Sequence, residues 1–258
     1  MTDAIPRRRL FRTAGALGVA AALPAAAGGE ARAQQPAPYS SALSDKEPGV
    51  SGGRFADPPP KPVYRFFNPA EAAFVEAATD RLIPADDEWP GAVWAGVPFY
   101  IDQQLAGAYG HGAGLYAAGP WEQGLPSQGY QLALNPQQLY RASLAAIAQE
   151  MRRRGQEFAK LAPDQQDAFL RELEGGKLDL GGVPSSEFFE TLLANTHEGF
   201  FADPSYGGNR DMVAWRMIGF PGAYAAYLNI YTDHGLRFDR EPMSIAGHAH
   251  AHGGHDHG

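Results

Sequence analysis

Residues 188–222 read FFETLLANTHEGFFADPSYGGNRDMVAWRMIGFPG, and this stretch decides the fold. Phe188, Phe189, Leu192 and Leu193 recur at the spacing of a buried helix face, which predicts a helix that stops near Gly199. Asp203-Pro204 then opens a turn, and Gly207-Gly208 supplies residues free to take positive φ. Asp211 is positioned to cap a second helix carrying Met212, Val213, Trp215, Met217 and Ile218, which Phe220-Pro221-Gly222 ends. Seven glycines and prolines set among so much aromatic mass imply a fixed, packed loop, because each special backbone position stands beside a bulky anchor.

Upstream, the helical pattern repeats. Asn68-Pro69 is a cap followed by proline at the first helical position, with Phe74, Val75, Ala78 and Leu82 on one face. Pro84 ends that helix, and Asp86, Asp87 and Glu88 form an acidic turn without EF-hand spacing, read as a solvated loop ahead of a calcium site. Val93, Val97 and Ile101 suggest a second helix to Leu105, with a restart at Pro98 as the alternative. Residues 107–135 mix glycines with Tyr109, Tyr116, Trp121 and Tyr130, the composition of a functional or interface loop. Asn135-Pro136 opens the longest helix, with Leu139, Leu144, Ile147, Met151 and Phe158 inward, and Arg152, Arg153 and Arg154 suit its C-terminal dipole. A shorter helix runs from Pro163 to Glu174 and is stopped by Gly175-Gly176. Ser185 or Ser186 then caps the helix of the opening stretch. Tyr224, Tyr227 and Tyr231 are spaced for one more half-buried helix. Strand-like signals are too short for a sheet, so the expectation is an all-α irregular bundle of about six helices with long Gly/aromatic loops on one side.

The ends carry different information. Arg8-Arg9-Leu10-Phe11, followed by a weakly hydrophobic run over residues 14–27, fits a twin-arginine export signal over residues 1–33; a retained anchor is the alternative. Such export carries proteins already folded, which is useful where a cofactor must be loaded first. Removing residues 1–33 takes away five arginines and two acids, so the formal charge moves from -8 to -11. A chain this acidic argues against nucleic acid and anionic lipid as partners. With no cysteine, thiolate metal sites, iron–sulfur clusters, disulfides and covalently attached haem are excluded. Residues 34–68 are proline-rich and expected to form a disordered arm or tether that folds against something else; residues 69–242 form the helical domain; residues 243–258 form a His-rich, disordered tail. His248, His250, His252, His255 and His257 in that tail suit weak binding of zinc, nickel or copper, incidental or dedicated to metal delivery.

No nucleophile elbow, phosphate-binding glycine loop, dinucleotide fingerprint or HExxH occurs. His111 and His234 are isolated, and His197-Glu198, at a helix end where the dipole favours histidine, is the sole candidate acid–base pair. The residues support a subunit without an active site of its own.

Several motifs in order resemble one known family. They are Phe201-Ala202-Asp203-Pro204-Ser205-Tyr206-Gly207-Gly208-Asn209 with Trp215 and Ile218-Gly219-Phe220-Pro221-Gly222, and Arg81-Leu82-Ile83-Pro84-Ala85-Asp86 with Pro90-Gly91-Ala92 and Phe99-Tyr100-Ile101-Asp102. Gly119-Pro120-Trp121 and Gln128-Gly129-Tyr130-Gln131 complete the set. Together, from Pro69 to about Gly222, they resemble the gluconate 2-dehydrogenase subunit 3 family. That resemblance implies a non-catalytic small subunit of membrane-associated, FAD-dependent sugar or polyol dehydrogenases. In such complexes a glucose–methanol–choline type flavoprotein without its own signal is exported bound to the small subunit, and a multihaem cytochrome c accepts electrons. FAD and haem c would then belong to other subunits, with none bound by this chain. Trp121, Tyr130, Tyr206, Asn209, Trp215 and the arm are the expected contacts to the flavoprotein. The rival readings are a periplasmic metal-binding protein using the histidine tail and a stand-alone enzyme using His197 and Glu198.

Overall fold

The structure, a computed structural model, describes residues 62–115, 119, 121–122, 131–223 and 241–247. Among them run six α-helices: α1 (Pro69–Leu82), α2 (Val97–Ala106), α3 (Pro136–Arg153), α4 (Pro163–Glu174), α5 (Ser185–Phe201) and α6 (Val213–Ile218). Three short 3₁₀ turns, Phe158–Lys160, Pro204–Tyr206 and Arg210–Met212, join them, and no strand occurs among the described residues. The all-α expectation holds. The expected helix carrying Tyr224, Tyr227 and Tyr231 lies outside the described residues.

Both Asn-Pro signals act as read. Asn68 accepts from the N–H groups of Ala70 and Glu71, each at 3.0 Å, while Glu71 accepts from the N–H of Asn68 at 2.9 Å. Asn135 and Gln138 make the same reciprocal pair at 2.9 Å in each direction. Three N–H donors are satisfied at the first of these helix starts and two at the second, with proline occupying the position that lacks one.

Four local expectations need correction. The helix expected from Val93 starts at Val97, because Gly96 takes φ 83° and closes a turn in which the Val97 N–H donates to the Ala92 carbonyl at 3.0 Å. Helix α5 continues past Gly199 to Phe201, because Gly199 serves there as a point of close packing and not as a stop: a Cβ on it would lie 2.7 Å from the Tyr100 ring. Ser185 does not cap α5; its hydroxyl donates to the carbonyl of Leu173 at 2.9 Å and so satisfies one of the last acceptors of α4. Asp211 does not cap α6 either. It adopts φ 53°, and the N–H of Ala214 is taken instead by the side chain of Asn209 at 2.9 Å.

Helix α5 is the hub, packing against the other five. Its Phe188, Leu192 and Phe200 are fully buried, together with Ile101 and Leu105 of α2, Leu139, Tyr140 and Ile147 of α3, and Phe169 and Leu173 of α4. Edge-to-face and tilted rings link the layers, Phe67 to Tyr140 to Phe188 on one side and Phe74 to Phe158 to Phe169 on the other. Phe158 is buried as expected, but from the 3₁₀ turn after α3.

Residues 62–68, which composition assigns to the arm, are bound to the domain. Asp102 of α2, wholly buried, accepts from the N–H groups of Arg65 at 2.8 Å and of Phe66 and Phe67 at 2.9 Å, and from the Gln103 amide at 3.1 Å. Phe67 thereby enters the core, and Arg141 covers the segment with its guanidinium on the Phe66 ring, 3.9 Å from the centroid. The composition of residues 34–61 hides this, because the anchoring group lies far downstream.

Candidate functional site

The opening stretch folds into a loop that connects α5 to α6 and docks on the turn before α2. Gly208 approaches the end of α5 so closely that a Cβ would stand 2.1 Å from the carbonyl oxygen of Gly199. Gly96 and Gly207 meet in the same way, a Cβ on Gly96 falling 2.8 Å from the Gly207 oxygen, and the N–H of Arg210 donates to Ala95 at 3.0 Å. Two motif blocks far apart in sequence are thus pressed backbone to backbone.

Asn209 sits at the centre. Fully buried at φ 44°, it donates from Nδ2 to the Ala202 carbonyl and accepts at Oδ1 from the Ala214 N–H, both at 2.9 Å. Asp211 and Met212 follow at φ 53° and 56°. Three non-glycine residues in the left-handed region within four positions mark a strained segment, one that persists because its surroundings over-determine it. Trp215 completes the brace, donating its indole N–H to the Phe201 carbonyl at 2.9 Å and stacking edge-on against Phe220.

A second segment is latched to this loop. Asp203 accepts from the Ser205 N–H at 3.0 Å, the Ser244 hydroxyl at 2.7 Å and the Ile245 N–H at 2.8 Å. Partial burial alone would weaken this acid, but those donors outweigh it and hold the Asp203 carboxyl below the usual carboxylate range. The Met243 N–H donates to Pro221 at 3.0 Å, the Ala223 N–H to Met243 at 2.8 Å, and Arg216 pairs with Glu241. Residues 243–247, placed in the tail by composition, are therefore joined to the loop. Along this unit Tyr206, Ile218, Phe220 and Ile245 are exposed, Tyr206 at 53 % and Ile245 at 63 %.

The sequence-selected residues divide accordingly. Tyr206 is at the surface of the loop, Trp121 is exposed on the loop after α2, and Asn209 and Trp215 are interior braces whose side chains are spent within the chain. Tyr130, His234, the export residues Arg8, Arg9 and Phe11, and His248, His250, His252, His255 and His257 lie outside the described residues. Glu198 accepts from Asn195 at 3.1 Å, within a network in which Asn195 also binds the hydroxyls of Tyr140 at 2.9 Å and Tyr109. Burial, then the charge of Glu198, pushes the Tyr100 hydroxyl up to about 12, and burial pushes His197 down. His111 is exposed, its Nδ1 2.8 Å from the Gly107 oxygen. Asp86 is occupied in its own turn, accepting from Glu88 and Trp89. Among the described residues, no three His, Cys, Asp or Glu side chains gather to hold a metal, and no helix is long and apolar enough to cross a membrane. Sequence reasoning missed Asp102 and the role of Ser244 and Ile245, which depend on partners distant in the chain; the Asp203-Pro204 pair was read as a turn and gave no sign of its second task.

A family model described as Gluconate 2-dehydrogenase subunit 3 matches residues 69–222. No curated protein and no solved structure gives a match.

Proposed function

The chain belongs to the gluconate 2-dehydrogenase subunit 3 family, and from that premise we propose that it is the non-catalytic small subunit of an FAD-dependent sugar or polyol dehydrogenase complex. In this reading it binds a glucose–methanol–choline type flavoprotein that carries the FAD, stabilises it, and lends it the twin-arginine signal built on Arg8, Arg9 and Phe11. The complex resides in the periplasm, associated with the membrane, and a multihaem cytochrome c takes the electrons.

The observation that carries the proposal is the braced loop with its exposed apolar rim. Asn209, Asp211 and Met212 hold left-handed backbone within one short segment, and the frame holds Tyr206, Ile218, Phe220 and Ile245 toward solvent. A surface of that kind supports a role in binding another protein.

The test is export. The flavoprotein is expressed with the wild-type chain, without it, and with an Arg8→Lys, Arg9→Lys double variant. The expected outcome is folded, FAD-loaded flavoprotein in the periplasm only with the wild-type chain. Equal export and equal folded yield in all three cases would end the proposal.

A further inference from the structure

Among the described arginines, Arg210 is the one with a guanidinium nitrogen that is both buried and without a hydrogen-bond partner. Arg81, Arg141, Arg154 and Arg216 each reach a carboxylate within hydrogen-bond distance. The Arg210 Nε is 4.0 Å from Asp211, beyond hydrogen-bond range, and its Nη1 is shut away from solvent with no hydrogen-bond partner among the described residues. The guanidinium rests over the Trp94 ring, 5.0 Å from the centroid. Its backbone is held on both sides, by the Ala95 carbonyl and by the positive-φ residues Asn209 and Asp211. The backbone is fixed while the charged end is under-paired, and a third of the side chain remains open to solvent.

We propose that Arg210 is the receptor for a carboxylate on the dehydrogenase subunit against which this loop docks, an inference that rests on the function proposed above. Leaving its present bed costs the guanidinium no hydrogen bond at Nη1, and a carboxylate offers the two parallel acceptors that a guanidinium fork matches. Tyr206, Phe220 and Ile245, exposed on the same unit, would exclude water around the pair once the partner is seated. The chain is acidic on balance, with a formal charge of -8, so a cation left under-paired at the loop surface is a point where an acidic patch on the partner is accepted. The pair would therefore set the register of docking as well as adding affinity.

The full-length chain is co-expressed with the large dehydrogenase subunit of its own complex, and dissociation is measured at two salt concentrations for wild type, Arg210→Gln and Arg210→Glu. Arg210→Gln should weaken the complex about tenfold and Arg210→Glu further, with the salt dependence reduced in both. Both variants alone should melt only slightly below the wild type, since the contact with the Trp94 ring is lost but no hydrogen bond at Nη1 is; if Arg210→Glu melts early, Arg210→Gln carries the test with the same required loss. Complexes as tight as wild type, or equal loss for Gln and Glu, would overturn the carboxylate receptor while leaving the docking role standing. Failure of the wild-type chain to bind the large subunit would overturn both. An isolated chain that dimerises, and is made monomeric by Arg210→Glu, would assign the loop to a second copy and overturn the inference.

Discussion

The Oδ1 of Asp102 lies 2.9 Å from the backbone nitrogen of Phe67, across a gap of 35 residues. Among the described residues no cation pairs with this buried carboxylate; four N–H donors satisfy it instead. Replacing it by Asn keeps the volume but turns an NH₂ group toward donors, leaving N–H groups unpaired in the core. Asp102→Asn should cost about 3 kcal/mol in urea unfolding. A loss below about 1 kcal/mol would mean that the segment over residues 62–68 is not held by this group.

Asn209 separates backbone strain from side-chain bonding. Asn209→Ala loses two hydrogen bonds and leaves at φ 44° a residue that tolerates the left-handed region less well than asparagine, for a total of about 3 kcal/mol. Asn209→Gly loses the same bonds and relieves the strain, so it should be milder by about 1 kcal/mol. Equal losses in thermal or urea unfolding would show that the left-handed backbone is not strained here.

How much of this was legible in the sequence follows from where the partners lie. The caps at Asn68 and Asn135 were readable because each needs only the next three residues, and the face of α5 was readable because helical periodicity is local. Asn209 is expected as a contact residue from its place in the motif that carries the family resemblance, yet its carboxamide is consumed by Ala202 and Ala214. Asp211 looked like a cap by position, but capping needs an extended backbone and its φ is positive. The Asp102 and Asp203 anchors join segments that no local pattern connects.

Stability should decline with acid over two pH windows. Burial holds His197 below its ordinary value, so the fold favours its neutral form; that stability is present above about pH 6.5 and is lost as pH falls through the lower folded value. His197→Gln should flatten the decline in this first window. Asp167, held down chiefly by its hydrogen bond with Arg81, and Asp203 favour their charged forms in the fold, so their stability is present above about pH 4 and disappears as pH falls through their depressed values. Glu187, raised by burial and by Glu190, acts with the opposite sign. Urea midpoints against pH for Asp167→Asn should show a shallower decline in the second window; a curve parallel to wild type would refute the assignment.

Gly208 has no need of unusual φ, so its requirement for glycine rests on space alone. A Cβ there would meet the oxygen of Gly199 at 2.1 Å and its carbonyl carbon at 2.9 Å, and both belong to backbone that cannot swing aside like a side chain. Either the loop lifts from the end of α5 or the helix end distorts, and in both cases Asn209 loses its grip on Ala202. Gly155 provides the opposite control: at φ 65° with nothing within 4 Å, it needs only conformational freedom. Gly155→Ala should therefore cost about 1 kcal/mol, whereas Gly208→Ala should cost more than about 3 kcal/mol. The second change should also release the rim residues, seen as faster proteolysis within residues 203–222. Equal and small effects of both changes would mean that the loop does not rest on α5 in solution, and that the rim is not held in place by the contact between the two glycines.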